Sequence, residues 1–249
     1  MAGRQAIVTG GGKGIGRAVA ERLAGDGDRV TIVGRDVGAL QEAATEIDGQ
    51  VSCERCDVAD EAAVSQLFES VDAPDILVNN AGVSSSAPLA RTELSDWTRQ
   101  LEVNATGSFL CTRAALPGMR DRDFGRVVFV ASTAGRAGFP YTAAYSASKH
   151  AALGLMRATA AELAATGVTS NAVCPTYVRS EMTERSIERI AASTDRSAAD
   201  AEQVLAGSAP LGRLLEPAEV AAAVAFLAAD ESGAINGQAL VLDGGGIQA

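Results

Sequence analysis

Tyr145 and Lys149 stand four residues apart in Tyr145-Ser146-Ala147-Ser148-Lys149, inside a stretch with a helical pattern. That spacing places both side chains on one helical face. The pairing matters because a free tyrosine titrates near ~10 and moves protons poorly at neutrality. An ammonium about 4 Å away, at an effective dielectric of about 20, favours the phenolate by roughly 4 kcal/mol. That is about three pKa units, so the pair predicts a tyrosine near ~7, where general acid–base catalysis works best. A Tyr/Lys pair alone is a weak signal, since most such pairs lie on surfaces. Its place at the head of the helix that follows the apolar strand Val127–Ala131 and Ser132, opposite a glycine-rich turn, raises it.

The glycine-rich turn follows the first apolar run. Thr9 leads into Gly10-Gly11-Gly12-Lys13-Gly14-Ile15-Gly16, and a helical pattern begins at once. Glycine lets the backbone turn tightly and approach a pyrophosphate, and free N–H groups at a helix start favour the anion. The spacing is T-G-x-x-x-G-x-G, carried by Thr9, Gly10, Gly14 and Gly16. It is neither the G-x-G-x-x-G fingerprint nor a P-loop, because Gly14 stands where a P-loop needs Ser or Thr. A dinucleotide is the expected ligand, and charge argues for which one. A site for NAD places an acid near the end of the second strand. Here that strand ends Val33-Gly34-Arg35, so glycine and then a cation stand there, and Lys13 adds a second cation. Both suit a 2′-phosphate, which arginine grips with two parallel bonds. NADPH is therefore expected over NADH, with Asp36 either opposing this choice or capping the next helix.

The elements that must position these groups alternate regularly. Candidate strands are Ala6–Thr9, Val30–Val33, Val51–Cys56, Ile76–Asn79, Val127–Ala131, Thr169–Cys174 and Leu240–Leu242. Candidate helices are Ile15–Ala24, Val37–Ile47, Glu61–Ser70, Leu94–Leu116, Tyr145–Ala165 and Pro217–Ala228. Several strands are near-continuous apolar runs, as in parallel strands covered on both faces. The pattern predicts a doubly wound, Rossmann-type α/β fold on a seven-stranded parallel sheet. No linker interrupts it, so residues 1–249 read as one catalytic domain. The charged segment 177–211, of short helical pieces, is expected to lie over the ligand crevice as a lid.

Composition narrows the function classes. The chain has 249 residues, 47% hydrophobic, with a formal charge of −10. That is enough apolar content for a core, and the acidic balance argues against nucleic acid and anionic membranes. No window is apolar enough to span a bilayer, and the N-terminus enters an apolar run without a leader pattern. Four scattered cysteines predict a reduced, cytoplasmic protein. Cys53 and Cys56 form a C-x-x-C, but two further zinc ligands are lacking nearby, so no metal is expected.

The motifs together resemble the short-chain dehydrogenase/reductase family in its compact form of about 250 residues. The resemblance is carried by Thr9-Gly10-x3-Gly14-x-Gly16, Asp57-Val58, Asn79-Asn80-Ala81-Gly82, Asn104, Ser132, Tyr145-x3-Lys149 and Asp243-Gly244-Gly245, spanning nearly the whole chain. It implies that Tyr145 exchanges a proton with the substrate oxygen, that Ser132 hydrogen-bonds that oxygen, and that Lys149 binds the nicotinamide ribose. Asn104 would hold a water in a proton relay. Asp57 and Val58 would meet the adenine, Asn79, Ala81 and Gly82 the adenine-ribose side, and Pro175, Val178 and Ser180 the nicotinamide. One departure stands out: Thr176 follows Pro175 where the family usually has glycine, which would stiffen the loop or narrow the pocket.

The stretch from Tyr145 to Pro217 most resembles ketoacyl and polyketide ketoreductases. The resemblance thus implies reduction of a ketone to a secondary alcohol, on a small carbonyl substrate that includes thioester-linked ones. The alternative is an NAD-dependent alcohol or hydroxybutyrate-type dehydrogenase working in oxidation. A nucleotide sensor is disfavoured because Tyr145 and Lys149 are both present, and an epimerase because too little chain follows Pro175. Arg113, Arg120, Arg122 and Arg126 form a candidate basic patch for an acidic carrier. The resemblance also implies a homotetramer.

Overall fold

The computed structural model describes residues 3–248. The chain runs β1 (Gln5–Thr9), α1 (Gly14–Gly25), β2 (Arg29–Gly34), α2 (Val37–Glu46), β3 (Val51–Arg55), α3 (Glu61–Ser70) and β4 (Ile76–Asn79). It continues through α4 (Leu94–Leu101), α5 (Gly107–Asp121), β5 (Gly125–Val130), α6 (Ala143–Glu162), β6 (Val168–Pro175), α7 (Glu181–Ser193), α8 (Ala198–Ala206), α9 (Pro217–Ala228) and β7 (Ala239–Leu242). The seven strands form one parallel sheet in the order β3-β2-β1-β4-β5-β6-β7. This is the expected doubly wound architecture.

Burial explains the run pattern. Every residue of β1, β4, β5 and β6 is buried, because helices cover both faces. Ala6, Val8, Ile32, Val78 and Val128 pack towards α1 and α9 on one face. Ile7, Leu77, Val127, Phe129 and Met156 form the core on the other. A third cluster of Ile187, Ala201, Leu205 and Leu214 ties α7 to α8 and packs on Tyr177. The strand order reverses between β1 and β4, and the crevice beyond their carboxyl ends is where such sheets bind ligands.

One predicted helix differs. The stretch read as Leu94–Leu116 is α4, a wide π-helical turn over Glu102–Thr106, and α5, which runs on through Pro117 to Asp121. The extra residue per turn rotates the helix at Asn104, as such bulges do at functional positions. Cys56 lies just past β3, is buried, and has its thiol pushed up to about 11 by that burial. Among the described residues no cluster of metal-binding side chains occurs, and no helix is long and apolar enough to cross a membrane.

Candidate active site

The glycine turn is shaped by close approach. Gly10 and Gly11 N–H both donate to Val33 O, at 2.6 and 3.3 Å. Thr9 Oγ1 accepts the N–H of Asn80 and of Ala81, each at 3.0 Å, and Asn80 Nδ2 donates to Thr9 O and Gly10 O. These bonds stitch β1 to β4 at the point where the strand order reverses. Gly10 has φ +66°, and a Cβ on Gly16 would lie 2.1 Å from Gly10 O, so only glycine fits. Lys13 is the N-cap of α1, yet no side chain caps that helix. The first-turn residues Gly14, Ile15 and Gly16 therefore line the cleft with free backbone donors. This bare cradle fits a dinucleotide pyrophosphate.

Across the cleft, β5 and α6 bring Ser132, Tyr145 and Lys149 together. Ser132 Oγ accepts the N–H of Ala134 at 3.1 Å, which fixes its rotamer. Its hydroxyl favours the ionised form of the Tyr145 phenol. Lys149 is 6% exposed, and its Nζ donates to Val130 O at 2.9 Å. That ammonium sits 5.8 Å from the centroid of the Tyr145 ring.

The expectation of a tyrosine near neutrality is corrected by this geometry. Burial pushes the Tyr145 phenol up to about 12, outweighing the Ser132 hydrogen bond that pulls it down. Burial likewise pushes Lys149 down to about 8. Desolvation opposes charge on both groups, and the ammonium is turned to a backbone carbonyl rather than to the phenol. Burial thus favours the neutral phenol of Tyr145.

Asn104 acts through its neighbours. Its Oδ1 accepts Val83 N–H at 2.8 Å, while its Nδ2 donates to Val83 O and Ser148 Oγ, each at 2.9 Å. Ser148 Oγ in turn donates to Tyr145 O at 2.8 Å. The amide therefore locks the loop after β4 to the head of α6. Both its hydrogens are spent, so a relay water could engage only the remaining lone pair of Oδ1.

The cleft has a volume of about 460 Å³. Gly10, Lys13, Gly14, Ile15, Gly16, Ala81, Gly82, Tyr145, Lys149, Pro175, Val178 and Ser180 all line it. Asn79 does not. Its Nδ2 is buried against Thr112 Oγ1 at 2.9 Å, and Asn80 lines the cleft instead. Arg35 and Asp57 lie 3.5 Å apart in a separate depression past β2 and β3, and Val58 is buried beside it against Gly107. Thr176 lines the cleft with an ordinary backbone, its N–H extending the β6–β7 ladder to Leu242 O, so glycine is not needed there.

The segment 177–211 folds as α7 and α8. Its ends are pinned where Val178 bridges to Leu215. Ser180 caps α7, and Arg189 reaches over to Ser86 Oγ at 2.8 Å. Sequence reasoning missed one contact here: Lys13 Nζ lies 3.1 Å from Glu181 Oε1 and 3.5 Å from Asp36 Oδ2. Nothing in the sequence signals that pairing. The expected arginine patch is also corrected. Arg126 is 3% exposed and donates to four backbone carbonyls under α9. Arg113 pairs with Glu61 and Arg122 with Asp75, and Arg120 donates to Glu162 O.

The short chain dehydrogenase model matches residues 4–191. The granaticin polyketide synthase ketoacyl reductase 1 of Streptomyces violaceoruber is 40% identical, over 96% of this chain and 92% of that one. The 3-oxoacyl-[acyl-carrier-protein] reductase MabA of Mycobacterium tuberculosis is 36% identical, over 97% and 92%. A variant of actinorhodin polyketide ketoreductase, crystallised with NADPH, superposes with a TM-score of 0.92 at 36% identity, over 98% of this chain and 97% of that one. Glycine cradle, Ser-Tyr-Lys cluster and full-length likeness agree, and the chain belongs to the short-chain dehydrogenase/reductase family of NAD(P)-dependent oxidoreductases.

Proposed function

We propose that this enzyme reduces a ketone, of the ketoacyl or polyketide type and including thioester-linked ones, to a secondary alcohol with NADPH. The observation that carries this reading is that Tyr145 and Lys149, with Ser132 next to the lining residues Ala131 and Thr133, share one cleft with the glycine cradle. A protonated phenol is what carbonyl reduction requires, and similar proteins are ketoreductases. The reduced nicotinamide supplies the hydride when bound. Tyr145 Oη gives the proton to the carbonyl oxygen, Ser132 Oγ donates a hydrogen bond to that oxygen, and Lys149 stabilises the phenolate left behind. Asn104 and Ser148 keep the head of α6 in register. Residues 1–249 act as one catalytic domain, with 177–211 as its lid. Tyr177, Met182 and Ile190 give the cleft an apolar wall suited to an acyl chain.

The matched test uses an acetoacetyl thioester and a bulky aryl ketone, each with NADPH and NADH. Faster oxidation of NADPH is expected, with the thioester preferred. Arg35→Ala should raise KM for NADPH about tenfold and barely move that for NADH, since it removes a charged partner of the 2′-phosphate. Equal changes for both cofactors would sink the 2′-phosphate assignment. An NAD-linked oxidation of a secondary alcohol is the second reading. It is favoured by Asp36, Asp57 and Glu181, which already hold the two cations.

We also place the enzyme in a homotetramer. Leu94, Trp97 and Phe109 on α4–α5 and Phe226 and Leu240 on α9–β7 are exposed apolar side chains, which supports association of copies. Light scattering should read four chains, and a monomer at micromolar concentration would remove this assignment.

A further inference from the structure

Lys13 holds two acidic partners from different parts of the fold. Asp36 caps α2, its Oδ1 accepting Ala39 N–H at 3.1 Å while Oδ2 faces Lys13. Glu181 is the first residue of α7 and reaches the same ammonium from the other side of the cleft at 3.1 Å. All three side chains are more than half exposed. The segment is close enough there that a Cβ on Gly14 would lie 3.6 Å from Ser180 Cβ. Asp36 has a second duty as a helix cap, and Glu181 a weaker one as an acid in the first turn of α7.

We infer that Glu181 is a cofactor-specificity residue: it occupies Lys13 and thereby weakens binding of a 2′-phosphate, biasing the enzyme away from NADPH. This rests on the reading that Lys13 faces the 2′-phosphate. The physical argument is competition for one cation. A phosphate arriving near Lys13 must displace or share an ammonium already bonded to Glu181, and it meets that carboxylate's negative charge. NADH carries a hydroxyl there and meets neither obstacle. The same contact joins the glycine turn to α7, so a 2′-phosphate that draws Lys13 away also loosens the segment's hold on the turn.

Exposed pairs are weak and screened, so the effect is a bias rather than a switch. Glu181→Gln should raise the NADPH/NADH ratio of kcat/KM about three- to fivefold. A purely structural role at the start of α7 would change both cofactors alike and leave the ratio fixed. Binding without turnover gives the second readout. Calorimetry on the full chain should show Glu181→Gln binding 2′,5′-ADP about three- to fivefold tighter, with 5′-ADP unchanged. The gain should shrink at high salt.

The double variant separates two failures. Lys13→Ala should weaken 2′,5′-ADP selectively, and Glu181→Gln added to Lys13→Ala should then have no further effect. If Lys13→Ala weakens 2′,5′-ADP but Glu181→Gln leaves the ratio unchanged, the inference is wrong and the reading of Lys13 stands. If Lys13→Ala affects 2′,5′-ADP and 5′-ADP equally, the reading of Lys13 fails and takes the inference with it. Should Glu181→Gln perturb folding, Glu181→Ala serves the same comparison.

Discussion

Tyr145→Phe is expected to lower kcat by about 10³- to 10⁴-fold while changing the dissociation constant of the cofactor by less than about threefold. The size follows from removing the general acid, whose contribution in such reactions is about 10²- to 10⁴-fold. No other acid takes its place, because a serine hydroxyl is a far weaker acid and the Lys149 ammonium is directed to Val130 O. The fold should tolerate the change, since phenylalanine has nearly the same volume and shape. Steady-state rates and nicotinamide fluorescence measure the two quantities separately. A variant retaining a tenth of the normal rate would remove Tyr145 from the proton transfer.

The wild-type pH profile bears on the same assignment. Tyr145, held at about 12, stays protonated across neutrality, whereas Lys149, held at about 8, loses its charge on the alkaline side. Reduction should therefore hold its rate through neutral pH and fall as pH rises through about 8. Lys149→Met, which removes the titrating ammonium, should lose that alkaline limb from its residual rate.

Much of this site was legible because the motifs are local. The glycine turn, the Tyr–Lys spacing and the alternation of strands and helices are each written within a short stretch, and each stands where expected. The failures share a cause: they depend on what burial does to a charge or on contacts between distant segments. Arg126 reads as the fourth member of a basic patch, but it is the second residue of a strand buried along its whole length. Its neighbours Ala229 and Asp230 arrive from the far end of the chain. The bulge at Asn104 leaves the apolar pattern of Leu94–Leu116 uninterrupted, so periodicity reads through it. Asn79 and Asn80 are adjacent and chemically identical, and only the strand's end decides which reaches the cleft. Tyr145 was placed correctly, but its pKa depended on a dielectric and a distance that a spacing of four cannot supply.

Lys149→Met should show that the catalytic centre is stabilised by losing its function. Rates should fall about 10²- to 10³-fold, since the phenolate loses its nearest cation. Stability without cofactor should nevertheless rise at pH 7. Lys149 is held at about 8, below its usual 10.5, because burial penalises the ammonium. Below about pH 8 both folded and unfolded chains are protonated and the folded state bears that penalty in full, about 3 kcal/mol. Between 8 and 10.5 the unfolded chain alone keeps the proton, so the wild type gains stability as pH rises. Above 10.5 the penalty is gone. Methionine removes the charge at every pH with little change of volume. Val130 O loses its partner, which costs about 1 kcal/mol. A net gain of about 1–2 kcal/mol, or about 3–6 °C in Tm, is expected at pH 7, vanishing near pH ~10 and turning into a loss of about 1 kcal/mol above ~10.5. An equal gain at both pH values would mean that packing, not buried charge, stabilises the variant. A lower Tm at pH 7 would mean that the fold accommodates the ammonium without penalty, leaving no reason for Lys149 to be conditioned for proton chemistry.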